Sequence, residues 1–297
     1  MFSTKTEARN WAEREEYRLL HADRVAEATP LGDLFKRYAR EVSPSKRGAR
    51  WEILRLERLA ADPLGDKRLG DLSEAHVADW RDRRLREVAP GSVRRELVLI
   101  SSVLNLAWRE WRVIDRNPAA RVKRPKEPPP RDRLPTTDEM ERMAFVAGND
   151  LSTGQGRAWH AFRFACASAM RAGEIVGLTW GDIDIDARVA HLPMTKNGTA
   201  RDVPMTREAV ELLKALPRKE PVFGLSSAQL DALWRKVRDK ANVEGLRFHD
   251  SRAYACTQLA RKVDVLTLAK ISGHKDIRLL SSTYYRESAA DIAKRLG

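Results

Sequence analysis

Between Asn117 and Pro135 the chain carries six prolines, at 118, 125, 128, 129, 130 and 135, interleaved with Arg121, Lys123, Arg124 and Lys126. Each proline fixes its own φ and lacks a backbone N–H, so no continuous helix can run through the stretch. The chain must break there. Its 297 residues are enough for two domains with separate cores. The expected organisation is a helical segment over residues 1–29, a helical domain over 30–115, a basic, semi-extended tether over 116–135 and a second domain over 136–297.

Ahead of the break, apolar residues recur at helical spacing: Leu31, Leu34, Phe35 and Tyr38, then Trp51, Leu54, Leu56 and Leu59. Ser73 offers an N-cap, with His76 where a capping box would carry Glu. The clearest helix starts near Pro90 and runs Val93, Leu97, Ile100, Leu104, Ala107 and Trp111 along one stripe. Its other side carries Arg94, Ser101, Asn105, Arg109 and Arg112. After the break, Thr137-Asp138-Glu139 reads as a cap with an acidic first turn. Trp159, Phe162, Phe164, Ala165 and Ala169 predict an apolar helix ending near Arg171. Two short strands, over 188–193 and 201–205, flank Asn197-Gly198, a strong hairpin signal. Helical patterns follow over 207–216, 227–241, 249–261 and 265–271, and from 276 onward. The fold class expected is mainly α with a small β-hairpin or sheet.

Fifty-five basic against 42 acidic side chains give a formal charge of +13 and a pI near 10.0. Such a surplus favours a polyanionic partner, because neutralising phosphates releases condensed counterions. No apolar run approaches the ~20 residues of a membrane span. Cys166 and Cys256 form no disulfide framework and match no metal-ligand spacing, so a reducing cytoplasm is the expected compartment. Neither a glycine-rich phosphate loop nor His-Glu-x-x-His occurs, and neither ATP nor a metal is expected as a cofactor.

Chemistry-bearing residues gather in the second half. Met170-Arg171-Ala172-Gly173-Glu174, Thr195-Lys196-Asn197-Gly198, His249-Asp250-Ser251-Arg252, Gly273-His274 and Tyr284-Tyr285 follow one another in that order. Two arginines, a lysine, two histidines and a tyrosine so arranged resemble a tyrosine recombinase of the phage-integrase family, over about residue 31 to the C-terminus. The resemblance implies a helical core-binding domain ahead of an α+β catalytic domain. It also implies site-specific DNA cleavage and rejoining through a 3′-phosphotyrosyl intermediate.

On that resemblance Arg171 and Arg252 hold the scissile phosphate, a task suited to forked guanidinium donors whose charge does not titrate. Glu174 orients Arg171, and His249 and His274 are further phosphate ligands, His249 also assisting proton transfer. Lys196 is the general acid for the leaving 5′ oxygen. Tyr284 is taken as the nucleophile, with Tyr285 the alternative, since neighbours on a helix diverge by ~100° and only one can face the phosphate. The pair stands one residue further from His274 than members usually place it, and Ser251 and Ala253 replace residues common in the family. DNA contacts are expected from Arg94, Asn105, Arg109 and Arg112 on the helical domain and from Arg121, Lys123 and Arg124 in the tether.

The partners expected are double-stranded DNA, three further copies in a homotetramer on two sites, and accessory DNA-bending or excision factors. The expected role is integration or excision of a prophage or other mobile element. Competing readings are a chromosome-dimer resolvase, a relaxing topoisomerase, and a DNA-binding architectural or regulatory protein without catalysis.

Overall fold

The structure, a computed structural model, describes residues 9, 11, 27–127, 131–193, 200–285 and 293. It comprises two compact units, Met1–Pro130 and Arg131–Gly297. Most of the segment 1–29, Lys196 with the expected hairpin turn, and prolines 128–130 lie outside the described residues. No helix among the described residues is long and apolar enough to cross a membrane.

Among the described residues the first unit is built on the helices α1 (Leu31–Glu41), α2 (Ala49–Ala60), α3 (Glu74–Arg84) and α4 (Pro90–Arg109). Their apolar stripes meet in one core that includes Phe35, Leu56, Trp80, Leu97, Ile100 and Leu104. Gly65 allows the chain to leave α2 tightly, because a Cβ there would lie 2.4 Å from the carbonyl oxygen of Ala60. A buried fork joins α3 to α4: Arg84 Nε and Nη2 donate to the two oxygens of Glu96 at 2.8 and 3.0 Å. At the start of α3, the Ser73 amide donates to His76 Nδ1 at 3.3 Å, so the imidazole serves where a capping box usually has Glu.

Three expectations need correction here. Trp51 and Leu54 face outward, Trp51 with 63% of its surface exposed, because α2 turns Leu56 and Leu59 into the core instead. The helix expected to reach Arg112 ends at Arg109, and Arg112 adopts the left-handed conformation at φ 52°. The tether is packed at its beginning: Asn117 and Pro118 are buried, and Ala119 and Val122 belong to the core. Asn117 Nδ2 donates to Ser101 O, Ser101 Oγ and Asn105 Oδ1 at 3.1, 3.0 and 2.8 Å, while its Oδ1 accepts from the Ala119 amide at 2.8 Å.

The second unit runs α5 (Thr137–Ala147), α6 (Gly154–Ser168), α7 (Ala172–Val176), β1 (Ile183–Asp184), β2 (Val189–Leu192), β3 (Arg201–Pro204), α8 (Arg207–Lys214), α9 (Ser227–Lys240), α10 (Asp250–Ala260), α11 (Val265–Ser272) and α12 (Ile277–Tyr284). Thr136, one residue before the expected cap, closes a capping box with Glu139. α6 is buried around most of its circumference and packs against α5, α8, α9 and α10. Phe162 from α6 stacks on Trp234 of α9 at 4.1 Å between ring centroids, with Phe248 edge-on to both.

The sheet is antiparallel in the order β1-β2-β3, with Leu192 paired to Arg201 and Ala190 to Val203. β1, only two residues long, was not among the expected strands. Side chains two apart share a face, so Arg201 points the same way as buried Val203, toward the unit's interior.

Candidate active site

The helix expected to reach Arg171 stops earlier. α6 ends at Ser168, and Ala169 terminates it in the left-handed conformation at φ 56°. Arg171 is then the extended N-cap of α7, and Glu174 is its third residue. Glu174 therefore meets Arg171 across a cap rather than along one helical face. Its Oε2 accepts from the Arg171 amide and its Oε1 from Arg171 Nη1, both at 2.9 Å. Arg171 Nη2 reaches the carbonyl oxygen of Gly273 at 3.3 Å.

A residue that the sequence reading did not select completes this arrangement. Arg201 donates Nη1 to Oε1 and Nη2 to Oε2 of Glu174, each at 2.8 Å. Glu174 thus sits between two guanidiniums. Burial alone would raise its pKa, but the hydrogen bonds and charges of Arg201 and Arg171 outweigh it and bring the value down to about 2.

Arg252, in the first turn of α10, is 4% exposed. It donates Nη1 to the carbonyl of Ala169, where α6 ends, and Nη2 to that of Ser272, where α11 ends. Helix C-terminal carbonyls thus hold a guanidinium that forms no ion pair among the described residues. Burial, and then the charge of Arg171, push its pKa down to about 10. A buried cation repelled by its neighbour is costly, and an anion placed beside it relieves that cost.

His249 and Arg252 differ in setting: His249 is the exposed N-cap of α10. Asp250 between them accepts from the Arg247 amide at 2.8 Å and from Arg131 Nη2 at 3.0 Å, fixing the start of that helix. His274 follows Gly273, the left-handed end of α11 at φ 68°. The Ser272 hydroxyl donates to Leu268 O at 2.6 Å, so its oxygen accepts from His274 Nδ1–H at 2.7 Å, leaving Nε2 as the acceptor nitrogen. Arg252 Nη2 lies 3.5 Å from that nitrogen. Burial lowers the His274 pKa to about 4, with help from the charges of Arg252, Arg171, His249 and Arg201.

The hydroxyls of Tyr284 and Tyr285 differ in setting. Tyr284, the last residue of α12, is half-buried and packs against the cluster of Ala169, Ala255, Cys256, Leu268 and Leu280. Burial and Cys256 raise its pKa to about 12 against the opposing charge of Arg252. Burial likewise raises Cys256, to about 11. Tyr285 packs against the same cluster and donates its hydroxyl to the carbonyl of Val263 at 2.7 Å.

Arg171, Glu174, Arg252, His274 and Tyr284 are thus brought together, and Lys196 lies outside the described residues. Arg201 and Cys256 join them unforeseen.

The basic residues of the first unit are placed individually. Arg94 Nη1 lies 3.5 Å from the carbonyl of Pro125 and Nη2 lies 3.9 Å from Glu127. Arg121 lies 3.8 Å from Glu74, Arg109 covers the Trp108 ring, and Lys123 offers its carbonyl to Arg81. Arg112 and Arg124 are exposed, and the Asn105 carbonyl oxygen is committed to Asn117.

Residues 135–291 match the sequence profile of the Phage integrase family. A Haemophilus influenzae protein carrying the name integrase/recombinase is 39% identical over 96% of each chain. A shufflon-specific DNA recombinase of Escherichia coli is 33% identical over 84% of this chain and 67% of its own. In three dimensions the chain is similar to lambda integrase in its tetramer bound to a Holliday junction, with a TM-score of 0.71 and 18% identity, covering 97% of this chain and 90% of that one. With the family profile spanning more than half its length, and a relative of that identity along nearly all of it, the chain belongs to the phage integrase family, the tyrosine-type site-specific recombinases.

Proposed function

We propose that this recombinase breaks DNA at the Arg171–Arg252 cluster, using Tyr284 as nucleophile, and that it integrates or excises a prophage or other mobile element. The buried Arg252 guanidinium carries the assignment, since it stands beside Arg171 without a carboxylate of its own and an anion is the ligand it lacks. The Tyr284 oxygen attacks the scissile phosphorus. An O–P bond to tyrosine forms as the P–O5′ bond breaks, and the charge building on the non-bridging oxygens falls to Arg171 and Arg252. His249 receives the tyrosine proton, and Lys196 delivers one to the departing 5′ oxygen. The reverse attack by a 5′ hydroxyl from another duplex rejoins the strand, so the bond energy is kept in the phosphotyrosyl link.

Tyr284 is favoured over Tyr285 by its surroundings: the Arg252 charge acts on Tyr284, whereas the Tyr285 hydroxyl is committed to Val263. DNA contacts from Arg94, Arg109, Arg112, Arg121, Lys123 and Arg124 supply affinity without base readout. Four protomers act together on two sites, as the lambda integrase tetramer does on its junction.

The test is covalent trapping on a nicked duplex taken from the element's own junctions. Wild type and Tyr285→Phe are expected to form a protein–DNA adduct, and Tyr284→Phe to form none. An adduct lost only in Tyr285→Phe would transfer the role to that residue. Tight binding by the wild type without any adduct would make the protein a non-catalytic DNA binder.

A further inference from the structure

Arg201 sits on β3 with its side chain turned inward and only 12% exposed. Its fork occupies both oxygens of Glu174. Its guanidinium also lies flat against Gly273, where an added Cβ would meet Cζ, Nε and Nη1 at 3.0 Å each. Gly273 is the residue whose carbonyl receives Arg171 and whose left-handed turn presents His274. Among the described residues Arg201 Nε has no hydrogen-bond partner despite being buried. An inward arginine of this kind is expensive unless its charge is used.

The charge count shows the use. Glu174 accepts two bonds from Arg171 and two from Arg201, which fixes the plane of its carboxylate. One carboxylate shared by two guanidiniums leaves a net positive charge. With Arg201 absent, Glu174 would neutralise Arg171 as an ordinary ion pair and weaken its hold on an anion. We propose that Arg201 is a positioning residue for strand cleavage: it satisfies Glu174, so that Arg171 is oriented by that carboxylate without being neutralised by it. Arg201 has this effect only if Arg171 is a ligand of the scissile phosphate, as assigned above.

The test compares single-turnover cleavage of two nicked junction duplexes, one with an ordinary scissile phosphodiester and one with an uncharged methylphosphonate at that position. A neutral substrate needs less positive charge, so it should compensate for charge lost from the site. Arg201→Met is expected to cleave the phosphodiester slower by roughly 10²-fold, the scale of a displaced catalytic contact, and to regain most of that loss on the methylphosphonate. Arg171→Ala is the reference and should show the same pattern. Arg201→Gln keeps a hydrogen bond to Glu174 but no charge, and it carries the same comparison should Arg201→Met unfold.

Equal losses on both substrates would make Arg201 a structural residue and overturn the proposal, as would phosphodiester cleavage within about twofold of wild type. Were Arg171→Ala itself unimpaired, the phosphate-site assignment would fall. An impaired and rescued Arg171→Ala beside an unaffected Arg201→Met would refute the role of Arg201 alone.

Discussion

At the scale of single residues the site is a balance of charges that the free protein holds under tension. His274 has an ordinary value of 6.5 and is lowered to about 4, first by burial and then by the surrounding cations. The folded chain therefore binds fewer protons than the unfolded one between those values, and the free energy of unfolding rises with pH across that window. Glu174 acts in the same direction between its ordinary 4.5 and about 2. Denaturant midpoints for the second unit should fall as pH is lowered from 6.5 to 4, and His274→Gln should flatten that fall; an unchanged slope would show that His274 titrates normally.

Arg171, Arg252 and His274 were legible as candidates because their residue types and order resemble those of a known family. Arg201 was not, since within a strand pattern it reads as any basic residue. Its signal was its spacing: two places before an apolar Val203, it had to face inward, and an inward arginine requires a carboxylate. Cys256, a helical turn beyond Arg252, was hidden for the opposite reason. A small buried thiol is ordinary in any core.

At the scale of elements the helices followed their apolar periodicity, except in α2, where Trp51 and Leu54 face outward, and their ends did not. α6 stops before Arg171 through a left-handed alanine, a conformation that no propensity predicts. β1 is too short to show any alternation. The start of the expected tether looked extended because its prolines stand out, while Asn117, Ala119 and Val122 supply the less visible reason it packs.

Asn117→Ala removes the donor to Ser101 and Asn105 and the acceptor for the Ala119 amide, leaving partially buried polar groups unpaired. It should destabilise the first unit by about 1–3 kcal/mol, read as a lower denaturant midpoint at unchanged slope. A change below about 0.5 kcal/mol would mean that water replaces these bonds.

At the scale of the molecule, the division between the two units falls at Pro130 and Arg131, inside the proline-rich stretch, and each unit has its own apolar core. The net charge of +13 is spread over a chain whose proposed partner is a polyanion. DNA affinity should accordingly fall on the order of 10³-fold between 50 and 200 mM salt, the response of a protein neutralising several phosphates. Titrations at several salt concentrations would check this, and a nearly flat response would argue against extensive backbone contact.

The order of the site residues along the chain has its own consequence for synthesis. Arg171, Glu174, Arg201, Arg252 and His274 all emerge from the ribosome before Tyr284. A product that stops short of residue 284 would keep the groups that attract DNA and lack the hydroxyl that cuts it, so on the proposed assignment incomplete translation yields an occupant of the site instead of a stray nuclease.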